Sequence, residues 1–291
     1  MKNVALLNDL SGYGRCSLTA AIPVISALGI TCHPIPTAVL TGQSGYPVFY
    51  CKDMTDMLDG YIDAWKKNKA SFEGIYSGYL TNPAQIDFVE KFLLNFKEQD
   101  TFVLVDPVMG DNGKVYGIYS DELLQKMKKL TIKANIITPN LTEACLLADV
   151  DFEGLTATYM DKALLEKTAE IGKWLRDDAL TSQDVIITGI KVSEEGTEYM
   201  YNVAVTDEGI YMERQKLFDR SFSGTGDLFA STMCGLKLNG YSTSNAMKIA
   251  SGFIYKSIED TMKYDLSRND GINFEKHLRI LIDSVVDTEK M

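Results

Sequence analysis

The sequence has only two histidines, His33 and His277. So small a supply excludes a multi-histidine metal centre and leaves almost no room for a Ser-His-Asp triad. Its five cysteines, Cys16, Cys32, Cys51, Cys145 and Cys234, include no C-x-x-C pair. An odd, scattered set argues against a disulfide framework and suits free thiols in a reducing cytosol. No apolar run reaches the about 18 residues that mark a membrane helix. The opening MKNVALLND meets Asn8 and Asp9 too early for a signal peptide. Excess positive charge is missing as well: 29 Lys and Arg stand against 40 Asp and Glu, a formal net charge of −11. That excludes a chain-wide attraction to nucleic acid or to an anionic membrane. There is no G-x-x-x-x-G-K-[ST], so a P-loop is excluded, and Gly12-Tyr13-Gly14 lacks the third glycine of a dinucleotide fingerprint, Ser17 standing there. No Pro/Ser-rich linker and no fixed-period repeat interrupts the chain. A single domain over residues 1–291 is the expectation.

What is present is an alternation. Short apolar runs at residues 4–7, 74–77, 102–105, 135–138 and 185–188 end at Gly, Pro, Asp or Asn and read as buried parallel strands. Amphipathic stretches at 18–28, 53–67, 83–96, 121–130 and 162–176 lie between them and read as helices, with Asn82 as cap and Pro83 in the first turn of one. This order predicts a parallel sheet with helices on both faces. Residues 197–206 and 209–215 read as a hairpin around Asp207-Glu208-Gly209, and helices follow at 226–238, 244–264 and 274–283. In such sheets ligands gather outside the carboxyl ends of the strands. The polar residues placed there are Asn8-Asp9, Gly78-Tyr79, Asp106, Thr138 to Asn140 and Thr188-Gly189.

Three constellations carry chemistry. Phe222-Ser-Gly224-Thr225-Gly226-Asp227 enters a helix; its glycines let backbone N–H groups converge on an anion, and Asp227 in the first turn can take a proton from a hydroxyl. The plainer alternative is an acidic residue that stabilises a helix start. Asp106-Pro-Val-Met-Gly-Asp111 sets two carboxylates after a strand, a loop suited to Mg²⁺ or to an ordinary turn. Thr138-Pro-Asn140-Leu-Thr-Glu143 has capping-box spacing, and Glu143 could equally hydrogen-bond water held by Mg²⁺.

In this order the three motifs resemble the ribokinase-like superfamily. The pyridoxal kinase family fits best, supported by residues 8–28, Thr41-Gly-Gln-Ser-Gly-Tyr46 and Ser77-Gly-Tyr79. The resemblance spans roughly Val4 to Ile258. It implies an α/β fold, a ribokinase-like three-layer sandwich whose mostly parallel central sheet has helices on both faces and a small β hairpin. It implies transfer of a phosphoryl group from ATP to the 5'-hydroxymethyl group of pyridoxal, pyridoxamine or pyridoxine. Asp227 would be the base, and the backbone of Gly224, Thr225 and Gly226 the anion hole. Asp106, Asn140, Glu143, Thr188, Gly189 and Thr225 would contact ATP. Asp111, Glu143 and Thr138 would stand near Mg²⁺ or a monovalent cation, K⁺ or Na⁺. Asp9, Ser44 and Tyr79, with Asp227, would hold the pyridine ring. A cytoplasmic homodimer with no nucleic-acid or membrane partner is implied too. Two positions depart from the family: Asp9 replaces a common Ser, and Thr41-Gly-Gln-Ser44 replaces Ser-Asn-His-Thr. A hydroxymethylpyrimidine kinase is therefore the alternative, with a non-catalytic nucleotide-binding protein of the same fold behind it.

Overall fold

The computed structural model describes residues 1–117 and 119–288. Among the described residues nine strands form one mostly parallel sheet, and two more form a separate small ribbon. The chain divides into two compact units, one of Met1–Phe102 with the chain from Arg220 on, the other Val103–Asp219.

In the first unit β1 (Asn3–Ser11) runs parallel to both β2 (Thr31–Leu40) and β4 (Gly74–Ser77), and β3 (Cys51–Asp53) pairs antiparallel with β2. Val4, Ala5, Leu6 and Leu7 are fully buried, as a strand covered on both faces requires. β1 runs four residues past the expected 4–7, because Asn8 to Ser11 keep their pairing with β2. β2 was not among the expected strands, and it carries two prolines, Pro34 and Pro36. Among the described residues β3 pairs only with Ala38 to Leu40, which leaves Pro34 and Pro36 a free edge where proline is tolerated. The helices are α1 (Ser17–Ala27), α2 (Thr55–Lys67), α3 (Pro83–Phe96), α8 (Thr225–Leu238), α9 (Thr243–Thr261) and α10 (Leu278–Thr288). Asn82 caps α3 by accepting from the Gln85 N–H at 3.1 Å, as its sequence predicts. The helix expected at 274–283 is instead a 3₁₀ turn, Glu275–His277, running into α10. His33 is half-buried and packs edge-on against Phe72 and Trp65.

In the second unit β5 (Phe102–Val105), β8 (Ile136–Ile137) and β9 (Asp184–Glu194) are parallel neighbours. β10 (Thr197–Thr206) and β11 (Gly209–Lys216) are the expected hairpin, turning at Asp207-Glu208. The hairpin extends the main sheet because β9 continues to Glu194 and offers β10 an edge. The separate ribbon is β6 (Gly110–Asp111) against β7 (Lys114–Val115), inside the loop after β5. The helices here are α4 (Asp121–Thr131), α5 (Leu141–Leu147), α6 (Phe152–Thr158) and α7 (Asp161–Asp177). No helix among the described residues is long and apolar enough to cross a membrane.

Candidate active site

The first unit gathers one acidic cluster. Gly224, with φ +81°, caps α8, and a Cβ there would strike the Arg15 carbonyl, so only glycine fits. Thr225, Gly226 and Asp227 form the first turn, where N–H groups have no carbonyl of their own helix to bond. A Cβ on Gly226 would meet nothing within 4 Å. The Thr225 hydroxyl lies 3.5 Å from the Phe222 carbonyl. Asn8 ties this turn to the strand ends: its Nδ2 donates to Asp227 Oδ1 at 3.4 Å, and its Oδ1 accepts from the N–H groups of Asp9 and Tyr79 at 2.9 Å each. Gly78 has to be glycine because a Cβ would overlap the Asn8 amide.

Burial raises the pKa of Asp227 to about 6; the Asp9 charge adds to the rise, while the Ser17 N–H and the Asn8 amide oppose it. Its carboxyl is desolvated although the residue keeps part of its surface exposed. Asp9 is buried and also raised by desolvation, against hydrogen bonds from Ser17 and Ser11; the Ser11 hydroxyl lies 2.9 Å away. The same two carboxylates help burial push the Cys16 thiol up to about 12. Burial, then Asp9, pushes Tyr79 up to about 12. Asp9, Cys16, Tyr79 and Asp227 are therefore one electrostatic group. Ser44 is exposed in the loop 41–50. Its neighbour Gln43 makes the recorded contact with the glycine-rich loop, Nε2 lying 3.4 Å from Ser223 Oγ. Asn8, which the strand-end rule had pointed to, thus joins the candidate site, together with Cys16 and Gln43, which sequence reasoning had not singled out.

The second unit gathers the other motifs at its own strand ends. Asp106 follows β5 and accepts from the Thr138 hydroxyl at 2.8 Å. Asn140 and Glu143 form a complete capping box on α5, at 3.0 and 2.8 Å. The other Glu143 oxygen accepts from the Met109 N–H at 3.0 Å, and Asn140 Nδ2 donates to the Gly110 carbonyl at 2.8 Å. Burial, then the Asp106 charge, pushes Glu143 well above the usual carboxylate range. Thr188 N–H donates to the Pro139 carbonyl at 2.9 Å, which brings Thr188 and Gly189 beside Asn140. Gly189 is exposed, in the left-handed region at φ +76°. Asp111 lies on the ribbon and accepts from the Asn112 amide at 2.8 Å. A cavity of about 380 Å³ opens here, lined in part by Asp111, Asn140, Leu141, Phe152 and Gly189. No group of three or more His, Cys, Asp or Glu that could hold a metal occurs among the described residues.

A mostly parallel sheet with helices, an edge hairpin and polar strand ends is the architecture of the ribokinase-like kinases. The chain belongs to the phosphomethylpyrimidine kinase family, whose family model matches residues 16–271. It is 36% identical to a candidate phosphomethylpyrimidine kinase from Bacteroides thetaiotaomicron solved with pyridoxal, at a TM-score of 0.88 over 96% of this chain and 95% of that one. It is 26% identical over 262 residues to the pyridoxine/pyridoxal/pyridoxamine kinase of Bordetella avium, covering 87% of this chain and 83% of that protein. Pyridoxal kinase from Leishmania donovani in complex with ADP and pyridoxamine shares the fold at a TM-score of 0.83 and 20% identity, over 97% and 96% of the two chains. The resemblance to pyridoxal kinases of the ribokinase-like superfamily therefore holds.

Proposed function

We propose that this chain transfers the γ-phosphoryl group of ATP to the 5'-hydroxymethyl group of a vitamin B6 compound, pyridoxal, pyridoxamine or pyridoxine. The observation that carries the reading is Asp227, a desolvated carboxyl with its pKa near 6 in the first turn of a glycine-capped helix. At neutral pH it is ionised and still basic enough to take the proton of an attacking hydroxyl. Asn8 orients it, and the free N–H groups of Thr225 and Gly226 are placed to meet charge on a transferring phosphoryl group. Asp9, Tyr79 and Ser44 are the proposed ring contacts. Asp106, Asn140, Glu143, Thr188, Gly189 and Thr225 are the proposed ATP contacts, and one family model spans both units, which supports a single kinase domain.

Mg²⁺ fits the second unit. Two buried carboxylates, Asp106 and Glu143, lie within each other's field, and Mg²⁺ characteristically takes one or two carboxylates and fills its shell with water and phosphate oxygens. When bound it would neutralise charge on the phosphates. Asp106 and Asp111 would hold it, with Thr138 fixing Asp106 and Glu143 accepting from its water. A monovalent cation, K⁺ or Na⁺, a homodimer and a cytoplasmic location belong to the same proposal. Hydroxymethylpyrimidine is the second acceptor to weigh, on the family's own description and on Asp9. A pure nucleotide binder would have no use for a base such as Asp227.

The test is ADP release measured across pyridoxal, pyridoxamine, pyridoxine, hydroxymethylpyrimidine and ribose. The reading expects turnover with B6 compounds well above the rest. Preference for hydroxymethylpyrimidine would establish the alternative, and acceptor-independent ADP release would remove both.

A further inference from the structure

Residues 264–271 anchor the loops of the first unit from one side. Arg220 donates to the Leu266 and Tyr264 carbonyls and lies 5.4 Å from the Phe222 ring centre. The Ser223 N–H donates to the Arg268 carbonyl at 3.0 Å. These bonds fix the approach to Gly224. The same segment grips the loop 41–50. Tyr46 donates its hydroxyl to Asp270 Oδ1 at 2.5 Å, and Asn269 Nδ2 donates to the Gly45 carbonyl at 2.7 Å. A Cβ on Gly45 would overlap the Asn269 side chain, so the two segments touch closely. Asp270 is itself held: its other oxygen accepts from the Ser267 N–H at 2.7 Å, and its carbonyl accepts from Arg15 at 3.2 Å.

Residues 41–50 have no regular secondary structure, and Val48 and Tyr50 are about three quarters exposed, at 75% and 74%. Such a loop keeps one conformation only where something holds it. Within it Gln43 spans outward and inward: Oε1 accepts from the Gly45 N–H at 2.7 Å, and Nε2 reaches Ser223. The Gln43 N–H donates to the Tyr13 carbonyl at 2.8 Å and its carbonyl accepts from the Tyr46 N–H at 3.1 Å, so Tyr13 holds the backbone while the Gly45-Tyr46 grip directs the side chain.

We propose that Asp270 is a positioning residue which, through the Tyr46 hydroxyl, sets Gln43 against Ser223 beside the Gly224 turn and so governs affinity for the phosphoryl acceptor. The inference rests on the kinase reading above. It assigns no chemistry to Asp270, only the placement of a loop.

Tyr46→Phe removes the hydroxyl and keeps the ring that packs on Tyr13 at 5.2 Å. A lost hydrogen bond to a carboxylate, discounted for partial exposure, predicts an acceptor KM raised about five- to tenfold. The KM for ATP and the melting temperature stay unchanged. Amide hydrogen exchange at residues 43–46 becomes faster, with exchange in β4 unaltered. Asn269→Ala, which breaks the neighbouring bond, moves the same two readouts. An unchanged acceptor KM in variants whose loop exchange has risen overturns the proposal, and so does unchanged exchange at 43–46. A parent that ignores B6 compounds but phosphorylates another hydroxymethyl acceptor sinks only the B6 reading, because the KM ratio of parent to variant is then read on that acceptor.

Discussion

The two units hold their carboxylates in opposite ways. In Val103–Asp219 each acid is occupied: Glu143 accepts two backbone N–H groups and Asp106 accepts from Thr138. In the other unit Asp227 has one long contact from Asn8 and a backbone bond from Ser17, and it sits beside a second buried acid, Asp9. A carboxylate saturated with donors fixes shape and presents its remaining lone pairs to a cation or to water. Burial pushes both Glu143 and Asp227 up, so basicity alone does not separate them; the sparsely bonded Asp227 is the one whose oxygens are left for the proton of an incoming hydroxyl. The first arrangement suits a nucleotide cradle, the second a proton acceptor. Substitutions can break or sharpen that contrast.

Asp227→Asn carries the largest expected effect. It keeps the shape and removes the base, so kcat falls on the order of 10²–10⁴-fold while ATP binding is retained. The same variant gains stability at neutral pH. A carboxyl whose folded pKa is raised binds more protons folded than unfolded between about 4 and 6, so its ionisation costs stability as pH rises through that window. The melting temperature of Asp227→Asn should exceed the parent's at pH 7 and match it near pH 3.5. Activity within about threefold of the parent would dissolve the contrast between the units.

Gly226→Val comes next. The space around that position accepts a side chain, so the protein folds, but branches at the first turn block the approach of a phosphoryl group. A fall of roughly 10²–10³ in kcat with little change in melting temperature is expected. Full activity would remove the anion-hole assignment. On the other side, Glu143→Gln should raise the Mg²⁺ needed for half-maximal rate about 10–100-fold. An unchanged Mg²⁺ curve would leave Glu143 as a cap of α5 and nothing more. The smallest effect is expected at Asp9. Asp9→Ser should shift the ratio of kcat/KM for pyridoxamine over pyridoxal downward, by about tenfold, since a carboxylate gains a charge-assisted bond to an ammonium group. A fixed ratio would place Asp9 in a purely local role with Ser11 and Ser17.

The same contrast explains what could be read in advance. The strands Gly74–Ser77 and Phe102–Val105 were legible to the residue, being short apolar runs closed by polar breakers. The second unit's site was legible because its motifs are contiguous: Asn140 and Glu143 meet by helix periodicity alone. The first unit's site is built from positions far apart. Asn8 and Asp227 are 219 residues distant, and no spacing rule links them. The grip of residues 264–271 on the loop 41–50 is equally non-local, which is why Ser44 was singled out and Gln43 was not. β2 carries two prolines, whose tolerance depends on an edge visible only once the sheet is assembled.

The most direct test of the central claim is the pH dependence of kcat/KM for the acceptor, in the parent and in Asp227→Asn. A base with its pKa near 6 predicts a parent profile that falls about tenfold per unit below that pH and levels off above it. The residual activity of Asp227→Asn should lack that acid limb. A parent profile flat between pH 5 and 7, or an acid limb that survives in Asp227→Asn, would show that the proton goes elsewhere.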